Sequence, residues 1–179
     1  MKGVHQLFKH IPTNEYDLAL RYYTDKAVDG TTVPEVLTNS TIILKEALDK
    51  IPEDKIKYRY GFGKWTVGEV LQHLISYERI MTERALMIAG IIQSGFKYQH
   101  YTQASTAKGG SNKTKTQLVA EFLETRAATL EVFSELSNEQ LLEIGTLDGF
   151  KTSVRMISLC ISGHQIHHFK VLQEKYQVL

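Results

Sequence analysis

The stretch SVRMISLCISGHQIHHFKVL, Ser153 to Leu172, limits what this chain can become more than any other. Val154, Ile157, Ile161, His164, His168 and Val171 recur at steps of three and four, which a helix gathers onto one face. An apolar stripe thus runs into two imidazoles one turn apart. Such a pair on a buried face can converge on one metal ion. One helix supplies only two ligands this way. A divalent ion needs at least a third from elsewhere, with a position left open if the site is catalytic. His73, in WTVGEVLQHLISYERIM, is the candidate. His167 sits about 100° around the helix from His168, which puts it at the rim of such a site.

The remaining segments read as helices that bring His73 to that pair. Asn14 to Asp25 is expected to form a short N-terminal helix, capped by Asn14, with Tyr16, Leu20 and Tyr23 inward. Thr32 with Glu35 makes a capping box, Pro34 fits the first turn, and Pro52 ends the helix. Its stripe is Val33, Val36, Leu37, Ser40, Ile43, Leu44, Ala47, Leu48 and Ile51. Thr66 with Glu69 opens a second long helix reaching about Gly90, with Val67, Val70, Leu74, Tyr77 and Met81 inward. His73 lies on one shoulder of that stripe and Glu78 on the other. A third long helix spans about Lys113 to Leu136, with Leu118, Phe122, Thr125, Thr129, Val132 and Phe133 inward and Arg126 beside them. Ser137 with Gln140 caps a short turn, and Asp148-Gly149 makes a tight turn before the histidine helix.

Two connections stand out. KYRYGFGKW, ahead of Thr66, reads either as a binding loop or as an aromatic plug in which Trp65 seals the next helix. The polar link from Gly90 to Gly110 carries Phe96, Tyr98, His100 and Tyr101, and covers the metal pocket or serves as a crossover. No alternating strand pattern is visible. The expected architecture is all-α, one domain over residues 1–179: a bundle of long amphipathic helices with a short additional N-terminal helix.

Composition narrows the function classes. Lys plus Arg is 21 and Asp plus Glu is 20, net +1, with no basic tract to follow a phosphate backbone, so no nucleic-acid partner is expected. The longest apolar run, Ala85 to Ile92, is far too short for a membrane span, and MKGVHQLFKHIP lacks a signal-peptide core. The single cysteine, Cys160, excludes an internal disulfide; a cytoplasmic location and no membrane partner are the expectations. Cys160 itself reads as a small buried apolar residue.

Gly63-Lys64-Trp65-Thr66, then His73-Leu74, Glu78-Arg79 and Arg84-Ala85-Leu86, and finally Gly163-His164-Gln165-Ile166-His167-His168, together resemble the DinB-like superfamily, also called YfiT-like metal-dependent hydrolases. The resemblance covers nearly the whole chain. It implies an up-down-down-up four-helix bundle with a divalent metal held by three histidines, here His73, His164 and His168, and relatives that often form homodimers. Zinc or nickel is the expected ion. It further implies a metal-dependent transferase of a low-molecular-weight thiol, or a hydrolase. Ser76 and Lys97 stand where the family often carries carboxylates.

Three neutral imidazoles leave a bound ion its full charge, so a water or a thiol at the open position loses its proton readily. The expected partner is a small-molecule substrate, with a low-molecular-weight thiol the leading class. Glu78, Arg126, Tyr77 and His167 are the candidates for proton handling or anion binding. The alternative is a non-catalytic protein that binds metal or a small ligand. A fourth protein ligand, His167 or His100, would favour that alternative.

Overall fold

The computed structural model describes residues 11–92, 106–147 and 149–179. The arm before Ile11, Asp148, and Phe96, Lys97, Tyr98, His100 and Tyr101 of the long link lie outside the described residues. The elements are α1 (Arg21–Thr24), α2 (Val33–Lys50), α3 (Val67–Ile88), α4 (Lys115–Glu135), α5 (Asn138–Leu142), β1 (Ile144–Leu147), β2 (Phe150–Ser153) and α6 (Val154–Val171).

Local sequence accounts for most helix starts. Reciprocal capping boxes open α2 at Thr32–Glu35, α3 at Thr66–Glu69, α4 at Thr114–Gln117 and α5 at Ser137–Gln140. Each satisfies two backbone N–H groups that a helix start otherwise leaves without partners. The inward stripes fall as the spacing predicts, with one exception. Ile43, expected inside, is 46% exposed, while Ser40 and Leu44 are fully buried.

Long helices α2, α3, α4 and α6 form the bundle. Helix α2 packs on α4 and α6, and α3 packs on the same two. Directions follow from the side-chain bonds. Lys113 reaches Gln72, Arg79 reaches Glu121 and Thr125, and Thr82 meets Thr129, so α3 and α4 run parallel. Arg126 bonds to Leu37 and Ser40 while Lys115 bonds to Asp49, so α2 and α4 are antiparallel. His73 meets His168 and Glu78 meets Gln165, so α3 and α6 are antiparallel. The order is up-down-down-up, so the end of α3 and the start of α4 lie at opposite ends of the bundle.

Two apolar clusters fill it. One gathers Val33, Val36, Leu37, Met81, Phe133, Ile157 and Ile161, and the other Leu44, Leu48, Ile75, Leu118, Phe122, Phe169 and Leu172. Between them every long helix contributes a buried polar side chain: Ser40, Glu78, Arg126 and Gln165.

Two expectations need correction. The N-terminal helix is not Asn14 to Asp25: a 3-10 turn at Leu18–Leu20 leads into the short α1, and Asn14 caps nothing. Tertiary bonds claim the first turn instead. The Asp17 carboxylate accepts from Lys151 N–H at 2.5 Å, its own N–H donates to Lys151 O at 2.9 Å, and Glu15 makes a buried ion pair with Arg155. The link before α6 is also more than a turn. Strands β1 and β2 pair antiparallel from Ile144↔Ser153 to Leu147↔Phe150, with Gly149 at φ +86° in the loop. Strands this short hold too few residues for alternation to register.

Helix α1 seats directly on α6. A Cβ at Gly163 would lie 1.8 Å from Tyr23 O. Gly163→Ala would gain about 0.5–1 kcal/mol of helix propensity. The clash outweighs it, since forcing atoms into a packed contact costs roughly 1–3 kcal/mol. The expected result is a lower urea midpoint; an unchanged midpoint would show that α1 can lift off freely.

Candidate metal centre

The His73, His164 and His168 side chains meet between the first turns of α3 and the last turns of α6. His73 and His164 are buried, and His168 is half-buried. His164 Nε2 lies 3.2 Å from both His73 Nε2 and His168 Nε2. All three ligand atoms fall within 4.8 Å of one another. One imidazole nitrogen has a single proton or a single lone pair, so it cannot be an ordinary hydrogen-bond partner of two others at once. The spacing fits a shared ion: Zn–N bonds of about 2.0–2.1 Å in tetrahedral geometry would place the nitrogens roughly 3.3–3.4 Å apart. The cluster is therefore capable of coordinating a divalent metal, and among the described residues no fourth His, Cys, Asp or Glu joins it.

The imidazoles are also in the right protonation state. Burial pushes His73 down to about 4. Burial and then the neighbouring His73 and His167 push His168 down to about 3, and burial with the other imidazoles holds His164 well below its ordinary range. All three are neutral near pH 7, which is the ligand form.

Aromatic rings fix them in place. Tyr77 stacks on His164 with centroids 3.8 Å apart and planes at 23°, and Tyr23 meets the same ring edge-on at 5.1 Å. His164 Nδ1 is buried with no hydrogen-bond partner among the described residues, so packing alone orients this ring. Trp65 lies against His73 at 4.9 Å, and the Tyr176 hydroxyl donates to Trp65 O at 2.7 Å. Trp65 thus serves as the plug that the loop composition suggested. His73 Nδ1 lies 2.5 Å from Thr106 Oγ1.

The other candidates divide. Tyr77 and His167 sit at the site: His167 is half-buried, with Nδ1 3.3 Å from the Tyr22 hydroxyl and its ring 5.1 Å from His168. Glu78 and Arg126 lie deeper, 0% and 1% exposed. Arg126 Nε donates to Glu78 Oε1 at 2.6 Å and Nη2 to Oε2 at 3.0 Å. The two N–H groups of Arg126 Nη1 serve Leu37 O, Ser40 Oγ and Thr41 Oγ1 at 2.7–2.8 Å, one of them shared between two acceptors. Gln165, next to His164, accepts from Arg126 and donates to Glu78. This network joins all four long helices, with its charges paired and its acceptors filled. Sequence reasoning missed Gln165 and Thr106. Ser40 on an apolar stripe, with Glu78 and Arg126 flanking two others, was the sign of the network that the sequence offered. Cys160 is buried with its thiol pushed up to about 12 by desolvation, so it is not a nucleophile at neutral pH.

The DinB superfamily profile matches residues 39–172, most of the chain. The chain belongs to the DinB superfamily. Among solved structures, the fold of this DinB-superfamily protein is similar to YfiT from Bacillus subtilis, described as a probable metal-dependent hydrolase with an unusual four-helix bundle topology. The two share 16% identity at a TM-score of 0.65, over 99% of this chain and 96% of that one. At that identity the likeness is one of fold. No curated protein matches the sequence. Among the described residues of this superfamily member, no helix is long and apolar enough to cross a membrane.

Proposed function

We propose that this DinB-superfamily protein is a metal-dependent enzyme, a hydrolase or a transferase of a low-molecular-weight thiol, with His73, His164 and His168 as its metal ligands. The observation that carries this reading is the convergence of three neutral Nε2 atoms without a fourth protein ligand among the described residues. A closed fourth ligand would mark a structural site. The description of YfiT as a probable metal-dependent hydrolase supports the same reaction class.

A divalent ion held by His73, His164 and His168, zinc or nickel, would supply Lewis-acid chemistry, lowering the pKa of a water or a thiol so that the nucleophilic form exists at neutral pH. The chain's own residues do the rest. Tyr77 and Tyr23 hold His164, and Trp65 shields His73 from water on one side. His167, half-buried beside Tyr22, is the group placed to take up or deliver a proton at the rim. Glu78 and Arg126 act at a distance, by fixing Gln165 and with it the turn of α6 that carries His164. Without the carboxylate that Ser76 replaces, proton handling falls to His167. The protein works as a soluble cytoplasmic enzyme on a small molecule, and a homodimer is the assembly proposed.

Elemental analysis of untagged protein tests this. One zinc or nickel ion per chain is expected, and none in a variant with His73, His164 and His168 all replaced by alanine. Protein that carries no ion and takes none up on titration would overturn the reading.

A further inference from the structure

We infer that Thr106 is the positioning residue that fixes His73 as an Nε2 ligand. This rests on the three-histidine reading above. Thr106 Oγ1 lies 2.5 Å from His73 Nδ1, and the two residues are 6% and 4% exposed, so water does not compete for the bond. A neutral imidazole carries one proton. If Nε2 is to offer its lone pair to an ion, the proton must sit on Nδ1, and an acceptor there favours that tautomer. The threonine oxygen is that acceptor. Were the hydroxyl to donate instead, Nε2 would hold the proton and could not bind metal.

The fold takes care to place Thr106. Just after it, the link returns to α3 through a backbone-to-backbone contact. A Cβ on Gly110 would lie 2.2 Å from Gly68 O, and one on Gly68 would lie 2.6 Å from Gly110 O. Only glycine at both positions permits this approach. Lys113 Nζ then donates to Gln72 Oε1 at 2.6 Å, beside His73 itself. The end of the crossover is thus pinned along the first turns of α3, with Thr106 facing the ligand. His73 has particular need of this. His164 and His168 share a helix whose geometry sets their spacing, whereas His73 arrives alone from another helix.

The test compares Thr106→Val, which keeps the shape and removes the acceptor, with Thr106→Ser, which keeps the acceptor. Zinc affinity is read by competition with a chromophoric chelator on chelator-stripped protein. The protonated ring nitrogen of His73 is read by nitrogen-15 correlation spectra of the metal-free protein. Thr106→Val is expected to bind zinc about 10–100-fold more weakly, as losing such an outer partner does elsewhere. It should also lose the Nδ1–H form, while Thr106→Ser matches wild type in both. A merely structural role would shift the unfolding midpoint but leave the tautomer alone. Wild-type zinc affinity in Thr106→Val overturns the inference, as does a dominant Nε2–H form in metal-free wild type. The tautomer measurement still decides if Thr106→Val fails to fold. If wild type binds no zinc, the three-histidine reading fails, and the tautomer reports on Thr106 separately.

Discussion

Arg126→Met is expected to lower the unfolding free energy by about 3–5 kcal/mol, the cost of leaving a buried charge without its partner. Glu78 has no access to solvent and meets Arg126 through two bonds, at 2.6 and 3.0 Å. Removing the guanidinium also takes the donor from Gln165 Oε1, while Leu37 O keeps the Ser40 and Thr41 hydroxyls as donors. Glu78 must then either stay charged in an apolar surround or take up a proton. Replacing both residues, as Glu78→Leu with Arg126→Met, should cost less than Arg126→Met alone, because no lone charge remains. Urea unfolding of the metal-free protein at neutral pH measures all of this. A loss below about 1 kcal/mol in Arg126→Met, the range of an exposed ion pair, would mean that water reaches the network.

His164→Ala and His168→Ala are each expected to abolish stoichiometric binding of zinc and nickel. Each leaves two imidazoles, too few to hold an ion against water at ordinary concentrations. His167→Ala should weaken binding only modestly, toward the lower end of the roughly 10–100-fold range for groups that touch ligands without being ligands. Titration calorimetry on chelator-stripped protein separates these outcomes. Equal binding by His168→Ala and wild type would remove His168 from the ligand set. Strong loss in His167→Ala would add a ligand and move the protein toward a closed, structural site.

The parts of this molecule that were legible in its sequence are those set by neighbours in the chain. Thr32–Glu35, Thr66–Glu69 and Ser137–Gln140 each settle a helix start over four residues, and each appears in place. The His164–His168 spacing is likewise a property of one helix. His73 could be joined to it only by reading two helices together. What stayed hidden depends on contacts between distant segments. The first turn expected at Asn14 is lost to Lys151 and Arg155, more than a hundred positions away. Thr106 looks like any polar link residue until the crossover lays it on His73. Glu78 and Arg126 looked like groups facing a pocket because a charged residue beside an apolar stripe can be either half-exposed or paired inside. Their burial at 0% and 1% shows them paired inside.

The up-down-down-up order bears on how the chain folds. Helices α2 and α3 follow one another in sequence, yet each packs on α4 and α6 rather than on the other. A hairpin of these two neighbouring helices therefore lacks the native packing that stabilises the early unit of an up-and-down bundle. Neither apolar cluster closes until α6, the last long element, arrives. Contacts between remote segments slow folding, because loop closure is charged before they are made. This protein should accordingly refold more slowly than an up-and-down bundle of equal length, and His73 should meet His164 and His168 only in the final step.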